Sequence, residues 1–206
     1  MVAALARPRP HLENGDVMSR AEFHALYADC EEYERVELIE GVVYMPSPVR
    51  VTQHARHHTM VLRWLMAYEA QYEDVEAMAP ASVLLDDQNE PIPDAMLYRP
   101  SRARLEGGYL ASPPELIVEI AASTKNRDLH QKQRAYERNG VGEYLVWRVE
   151  DGALDWFALR DGAYVRREPG PHGAIESEQF PGLRLDVHAL LAMDGADVLR
   201  GLTSAG

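Results

Sequence analysis

Cysteine is nearly missing from this chain: Cys30 is the single one among 206 residues. One thiol excludes an intramolecular disulfide framework and a zinc centre built on clustered cysteines. Cys30 itself reads as a small, partly buried residue closing the first helix. Long apolar runs are also lacking. None approaches the roughly 18 residues that suggest a membrane span, and no charged start followed by an apolar stretch marks a secretion signal. The expected location is cytoplasmic, with no membrane partner. Positive charge is in short supply, with 21 Lys and Arg against 33 Asp and Glu and a formal net charge of -12. That balance argues against broad nonspecific binding to nucleic acid, because phosphate backbones are held mainly by Lys and Arg. There is no internal repeat, no Gly-rich phosphate loop after a strand and no serine in a nucleophile elbow.

What is present suits a globular protein. With 46% apolar and 26% charged residues, the length supports one domain with a sizeable core. Residues 1–17, with Arg7-Pro8-Arg9-Pro10 and no periodicity, read as a flexible N-terminal tail. Residues 18–193 form the domain, and 194–206 read as a flexible C-terminal tail. Ser19 with Glu22 three positions on has the form of a capping box for a short first helix. Two short strands turn at Gly41, and Pro46-Ser47-Pro48 stops them. Val61, Trp64, Leu65, Tyr68 and Tyr72 recur at helical spacing, predicting a long helix from about Thr52 to Glu73. Strands are expected at 81–85, 94–98 and 116–121. A helix capped by Ser123 or Thr124 should then end at Asn139-Gly140. Three strands follow, over 143–149, 153–159 and 163–167, with Asp151-Gly152 and Asp161-Gly162 as hairpin turns. A last helix spans 187–193. This order of elements predicts an α/β fold with a mixed sheet flanked by helices.

One residue stands out in the central run Leu116-Ile117-Val118-Glu119-Ile120-Ala121. A charge inside such a strand needs a partner. Alternation puts Ile117, Glu119 and Ala121 on one face. A second isolated acid, Asp94, follows Ile92-Pro93. On the helix downstream, Leu129, Lys132 and Tyr136 fall at i, i+3 and i+7, so Lys132 lies on the inward stripe. Two carboxylates and a lysine compose a candidate reaction centre. Simpler readings stand beside it: a buried ion pair for Glu119, a strand start for Asp94, and for Lys132 a snorkelling stem or an i-4 pair with Asp128. Lys125 is the rival lysine.

Charge is unevenly spread. Nine acids face Arg20 and Arg35 between Glu13 and Glu40, while Lys125 to Arg138 carries five bases against Asp128 and Glu137. Arg99, Arg102 and Arg104 form a second basic patch. These segments flank the Glu119 strand in sequence, where a polyanion would need them, or else are solvated faces. His54, His57 and His58 offer i, i+4 spacing, but a stable zinc site needs three or four ligands. Partly buried histidines continuing the helical stripe are the expectation.

Glu37-Leu38-Ile39-Glu40-Gly41, His54, Pro93-Asp94, the run from Glu119 to Thr124, Asp128, Lys132 and Asn139-Gly140-Val141-Gly142-Glu143-Tyr144-Leu145-Val146-Trp147 come in an order and spacing that resemble the Uma family of putative restriction endonucleases. The likeness covers roughly residues 19–191. It implies a PD-(D/E)xK nuclease, a restriction-endonuclease-like mixed β-sheet flanked by helices that presents two acids to a divalent metal. Asp94 matches the motif aspartate and Glu119 the second acid; both would be ligands of Mg2+ or Mn2+, which takes oxygen donors. The motif lysine position, two after Glu119, holds Ala121, and Lys132 matches a lysine on the following helix that stands in for it. Glu37 is a further candidate acid, Glu40 beside it is expected at the surface, and His54 would lie next to the site. The implied activity is metal-dependent hydrolysis of DNA phosphodiester bonds, with a homodimer expected for a cutter of duplex DNA because two-fold symmetry brings one site to each strand. The competing reading is a non-catalytic binding or dimerisation module that keeps the fold without the chemistry, favoured by Ala121 and the acidic net charge.

Overall fold

Local signals in the sequence become elements in chain order. The computed structural model describes residues 11–28, 35–45, 54–121 and 127–203. Cys30, the Pro46–Pro48 stop, the Ser123 and Thr124 caps and Lys125 fall outside these. Helix α1 (Arg20–Tyr27) carries the expected capping box, with Ser19 and Glu22 bonded to each other's amides. Strands β1 (Glu37–Ile39) and β2 (Val42–Tyr44) form a hairpin. Its turn places Gly41 at φ +75°, where an L side chain would be strained. Helix α2 (Arg56–Glu69) buries Met60, Val61, Trp64, Leu65 and Tyr68 along one stripe. Strands β3 (Glu76–Met78) and β4 (Ala95–Tyr98) follow, then a small hairpin of β5 (Leu105–Glu106) and β6 (Tyr109–Leu110). After β7 (Leu116–Ala121), a π-helical turn (Arg127–Lys132) runs into α3 (Gln133–Asn139), which Gly140 closes in the left-handed conformation. Strands β8 (Glu143–Arg148), β9 (Ala153–Arg160), β10 (Ala163–Arg167), β11 (Ala174–Glu176) and β12 (Arg184–Asp186) precede α4 (Val187–Leu191) and α5 (Gly195–Thr203).

Six of the strands make one mixed sheet in the order β10-β9-β8-β7-β4-β3. Only β7 and β8 pair in parallel; β7 and β4 are antiparallel. A parallel pair requires a crossover, and the π turn with α3 supplies it. All six residues of β7 are buried, as expected for a central strand covered on both faces. Leu116, Val118 and Ile120 pack with Trp64, Leu145, Trp147 and Trp156 under α2 and the C-terminal helices. Ile117 and Ala121 pack on the other face with Met96, Tyr136, Tyr144 and Val146. Leu12, Phe23, Val36, Leu38 and Val43 form a third cluster around the β1–β2 hairpin.

Several boundaries differ from the sequence expectation. Residues 81–85 form no strand: Val83 makes one isolated bridge to Leu110, and the Val83 and Leu84 amides turn to different partners, Pro91 and Leu110. The edge strand is β3 instead, a three-residue segment without apolar alternation. Part of the expected N-terminal tail is docked, with Leu12 buried and Val17 bridged to Val42. The segment read as a flexible C-terminal tail forms α5, whose Val198 and Leu202 are buried in the main core.

Candidate active site

Glu119 is tolerated in a buried strand because its partners are buried with it. Lys132 Nζ lies 2.8 Å from Glu119 Oε1 and 2.7 Å from Glu37 Oε1. Tyr136 donates its hydroxyl to the same Glu119 oxygen at 2.8 Å. Glu37, Glu119 and Lys132 are the buried charges of this cluster, with Lys132 only 2% exposed. A lone charge at that depth would cost several kcal/mol, and the shared ammonium offsets it. The local cause is helical geometry. Lys132 ends the π turn and Tyr136 follows four residues later on the same stripe, so both reach the face of β7 that carries Glu119. Single π turns inside helices recur at functional sites. Glu37 comes from β1, and its Oε1 also accepts the Ile92 amide at 2.8 Å. The residue paired with Glu37 across the hairpin, Tyr44, donates to Gln131 Oε1 at 2.9 Å.

Asp94 sits one residue before β4. Its Oδ2 accepts the Ile120 amide at 2.8 Å, which lays the carboxylate against the backbone beside Glu119. His54 Nε2 is 3.0 Å from Asp94 Oδ1, and His58 Nε2 lies 2.8 Å from the Asp94 carbonyl. Burial alone would push the Asp94 carboxyl up. The His54 contact and charge, the nearby Lys132 ammonium and the Ile120 amide outweigh it and hold the group below the usual aspartate range. Asp94 therefore stays ionised at neutral pH. A carboxyl lowered by folding stabilises the protein above its unfolded value of about 3.9, and that stability fades as pH falls through the folded value. The urea midpoint gap between wild type and Asp94→Asn should accordingly be widest near pH 7 and shrink on acidification below about pH 4. A gap independent of pH would remove the ionised carboxylate from the stability of this site.

The histidines are divided between two tasks. His54 and His58 both address Asp94, while His57 stacks edge-on against Trp147 at 4.6 Å between centroids. Its Nδ1 is buried without a hydrogen-bond partner, and burial, with the charges of Arg56 and His54, lowers its pKa. Among the described residues, no three His, Cys, Asp or Glu side chains converge as a ready-made metal cage.

Apart from Lys132, the described bases of the two basic segments do not line the site as their sequence positions suggest. Arg99, Arg102 and Arg104 follow the far end of β4, about five residues or roughly 16 Å along the strand from Asp94, and bond there to Glu115, Gln179 and Glu106. Arg134 is paired with Glu40, and Arg138 with Asp86. Glu40 of the hairpin turn and Asp86 thus engage these two bases of the helix. Ala121, in the motif lysine position, is buried on the face of Glu119 and opposite Arg148 of β8. From sequence spacing Tyr136 is expected only to pack inward. Its place four residues after Lys132 was the available signal that it reaches the same carboxylate.

Two acids and a lysine are thus brought together beside the C-terminal half of β7. The family model Uma2, described as "Putative restriction endonuclease", matches residues 20–188. The chain belongs to the Uma2 family. That span contains Glu37, His54, Asp94, Glu119, Lys132 and Tyr136. Among solved structures, the Uma2 chain is similar to a putative nuclease belonging to DUF820 from Anabaena variabilis, with a TM-score of 0.60 and 14% identity over 76% of this chain and 89% of that one. At that identity the likeness speaks for the fold, which is the restriction-endonuclease-like mixed sheet flanked by helices that the sequence predicts. No curated protein matches the chain. Among the described residues no helix is long and apolar enough to cross a membrane.

Proposed function

We propose that this Uma2 protein is a metal-dependent endonuclease that hydrolyses phosphodiester bonds in DNA. Membership in a family described as "Putative restriction endonuclease" supports a nuclease role. The observation that carries the reading is the 2.8 Å contact between Lys132 and Glu119, because it returns an ammonium to the second acid although Ala121 occupies the motif position. Asp94 and Glu119 would hold Mg2+ or Mn2+; hard oxygen donors suit these ions, and the ionised state of Asp94 fits the role. When bound, the metal neutralises charge on the phosphodiester and lowers the pKa of an attacking water. Lys132 donates to developing charge on the phosphate or orients the water. Glu37 holds Lys132 in place through Oε1, itself fixed by the Ile92 amide. His54 orients Asp94. A homodimer would bring one site to each strand of a duplex.

One observation favours the second reading, a nuclease-fold module for binding or dimerisation. Arg134 and Arg138 beside the site are engaged by acids, and the net charge of -12 works against the approach of a phosphate backbone. Purified protein incubated with supercoiled plasmid and linear duplexes in Mg2+ or Mn2+ decides between them. Nicking or linearisation that disappears in EDTA and in Asp94→Asn is expected. Wild-type protein inert on all substrates with both metals would leave the module as the reading, and light scattering would then report whether it dimerises.

A further inference from the structure

We propose that Tyr136 is a positioning residue for the metal: its hydroxyl fixes the orientation of the Glu119 carboxylate and so sets the affinity of the site for a divalent cation. The inference rests on the reading of Asp94 and Glu119 as metal ligands and deepens it. Tyr136 is fully buried on α3, with its ring edge-on to Tyr144 at 5.1 Å. Packing alone would be served by phenylalanine. The hydroxyl instead converges with Lys132 Nζ on one atom, Glu119 Oε1, each at 2.8 Å. The terminal torsion of a glutamate is broad and soft. Two donors approaching the same oxygen from one helix pin it. Ligand carboxylates are held in this way by outer partners, whose loss typically costs about 10- to 100-fold in metal affinity or activity.

The two donors have different consequences. Lys132 brings a positive charge that opposes an incoming cation while it orients the acid. Tyr136 orients the same oxygen through a neutral hydroxyl. The phenol therefore supplies geometry without adding a positive charge to the site.

The test is a Mn2+ titration of the full-length protein by calorimetry, with free Mn2+ followed by electron paramagnetic resonance. Tyr136→Phe keeps the ring and is expected to bind Mn2+ about 10- to 100-fold more weakly than wild type. Tyr164→Phe is the control. It removes a hydroxyl that donates to the Val141 carbonyl at 3.0 Å on the same side of the sheet but touches no carboxylate, and its Mn2+ affinity should equal that of wild type. Urea midpoints check folding of both variants. Should Tyr136→Phe be only partly folded, titration in sucrose, which favours the compact state, reads binding on folded protein. Equal Mn2+ affinity for folded Tyr136→Phe and wild type overturns the inference and leaves the metal site standing. A parallel loss in Tyr164→Phe also overturns it, showing general loosening of the α3 face. Wild-type protein that takes up no Mn2+ refutes the metal reading itself and this inference with it.

Discussion

Replacing Lys132 by methionine is expected to destabilise the metal-free protein by about 3 to 5 kcal/mol, the usual cost of removing one partner from a buried ion pair. The same change should slow Mg2+-dependent cleavage by about 100- to 1000-fold, the typical loss for a transition-state donor. The stability effect follows from the triad. Lys132 is the shared cation of Glu37 and Glu119, at 2.7 and 2.8 Å, and all three side chains are buried. Methionine fills the volume of the stem but leaves two carboxylates facing each other in a low-dielectric space. From sequence alone, Lys132→Ala is expected to leave folding nearly intact, because nothing along the chain announces that Glu37 and Glu119 lean on one ammonium. Added Mn2+ should recover part of the lost stability in Lys132→Met, since a ligand that binds only the folded state shifts the equilibrium toward it. Urea unfolding with and without Mn2+, beside a plasmid-nicking assay, measures all three effects. A destabilisation under 1 kcal/mol together with undiminished cleavage would sink both the structural and the catalytic assignment.

The legible parts of the site were those written in local spacing. Glu119 was conspicuous because a charge interrupts an apolar strand, and Lys132 because helical periodicity put it on the inward stripe. The chain has 19 arginines and two lysines, Lys125 and Lys132, a further sign that position 132 calls for an ammonium rather than a guanidinium. Geometry across long separations was not legible. Glu37 meets Lys132 from 95 positions away, and Arg134 meets Glu40 from 94. Charge runs alone pointed these bases toward a polyanion, whereas tertiary folding turned described ones onto the acids of the chain itself. The fold followed the same division: alternating strands, the capping box and the Asp-Gly hairpins were readable, while β3 carries too little apolar pattern in three residues to show.

The C-terminal segment shows the largest gap between pattern and packing, and its removal is expected to be costly. Gly195 and Gly201 lower helix propensity over a short stretch, which is why residues 194–206 read as a tail. The structure offsets this in two ways. Asp194 caps the segment, with Oδ1 accepting the amides of Ala196 and Asp197 at 3.1 Å each. Val198 and Leu202, four positions apart on one stripe, are buried in the core beneath α2. Full burial of such side chains contributes about 1.5 to 3 kcal/mol each, so truncation after Met193 should destabilise the protein by roughly 3 to 6 kcal/mol. For a chain of this size each kcal/mol moves the thermal midpoint by about 2 to 4 °C, which places the expected drop at roughly 6 to 24 °C. A flexible tail would predict no change, and a midpoint within 1 °C of the full chain would restore that view. Because α5 packs on the α2 face of the sheet and Glu119 points to the α3 face, the truncated protein below its unfolding transition should retain the Mn2+ affinity of the full chain. Loss of metal binding in a truncated but folded protein would mean that the two faces are coupled through β7, with the Val118 and Ile120 side of the strand setting the position of the carboxylate on the other.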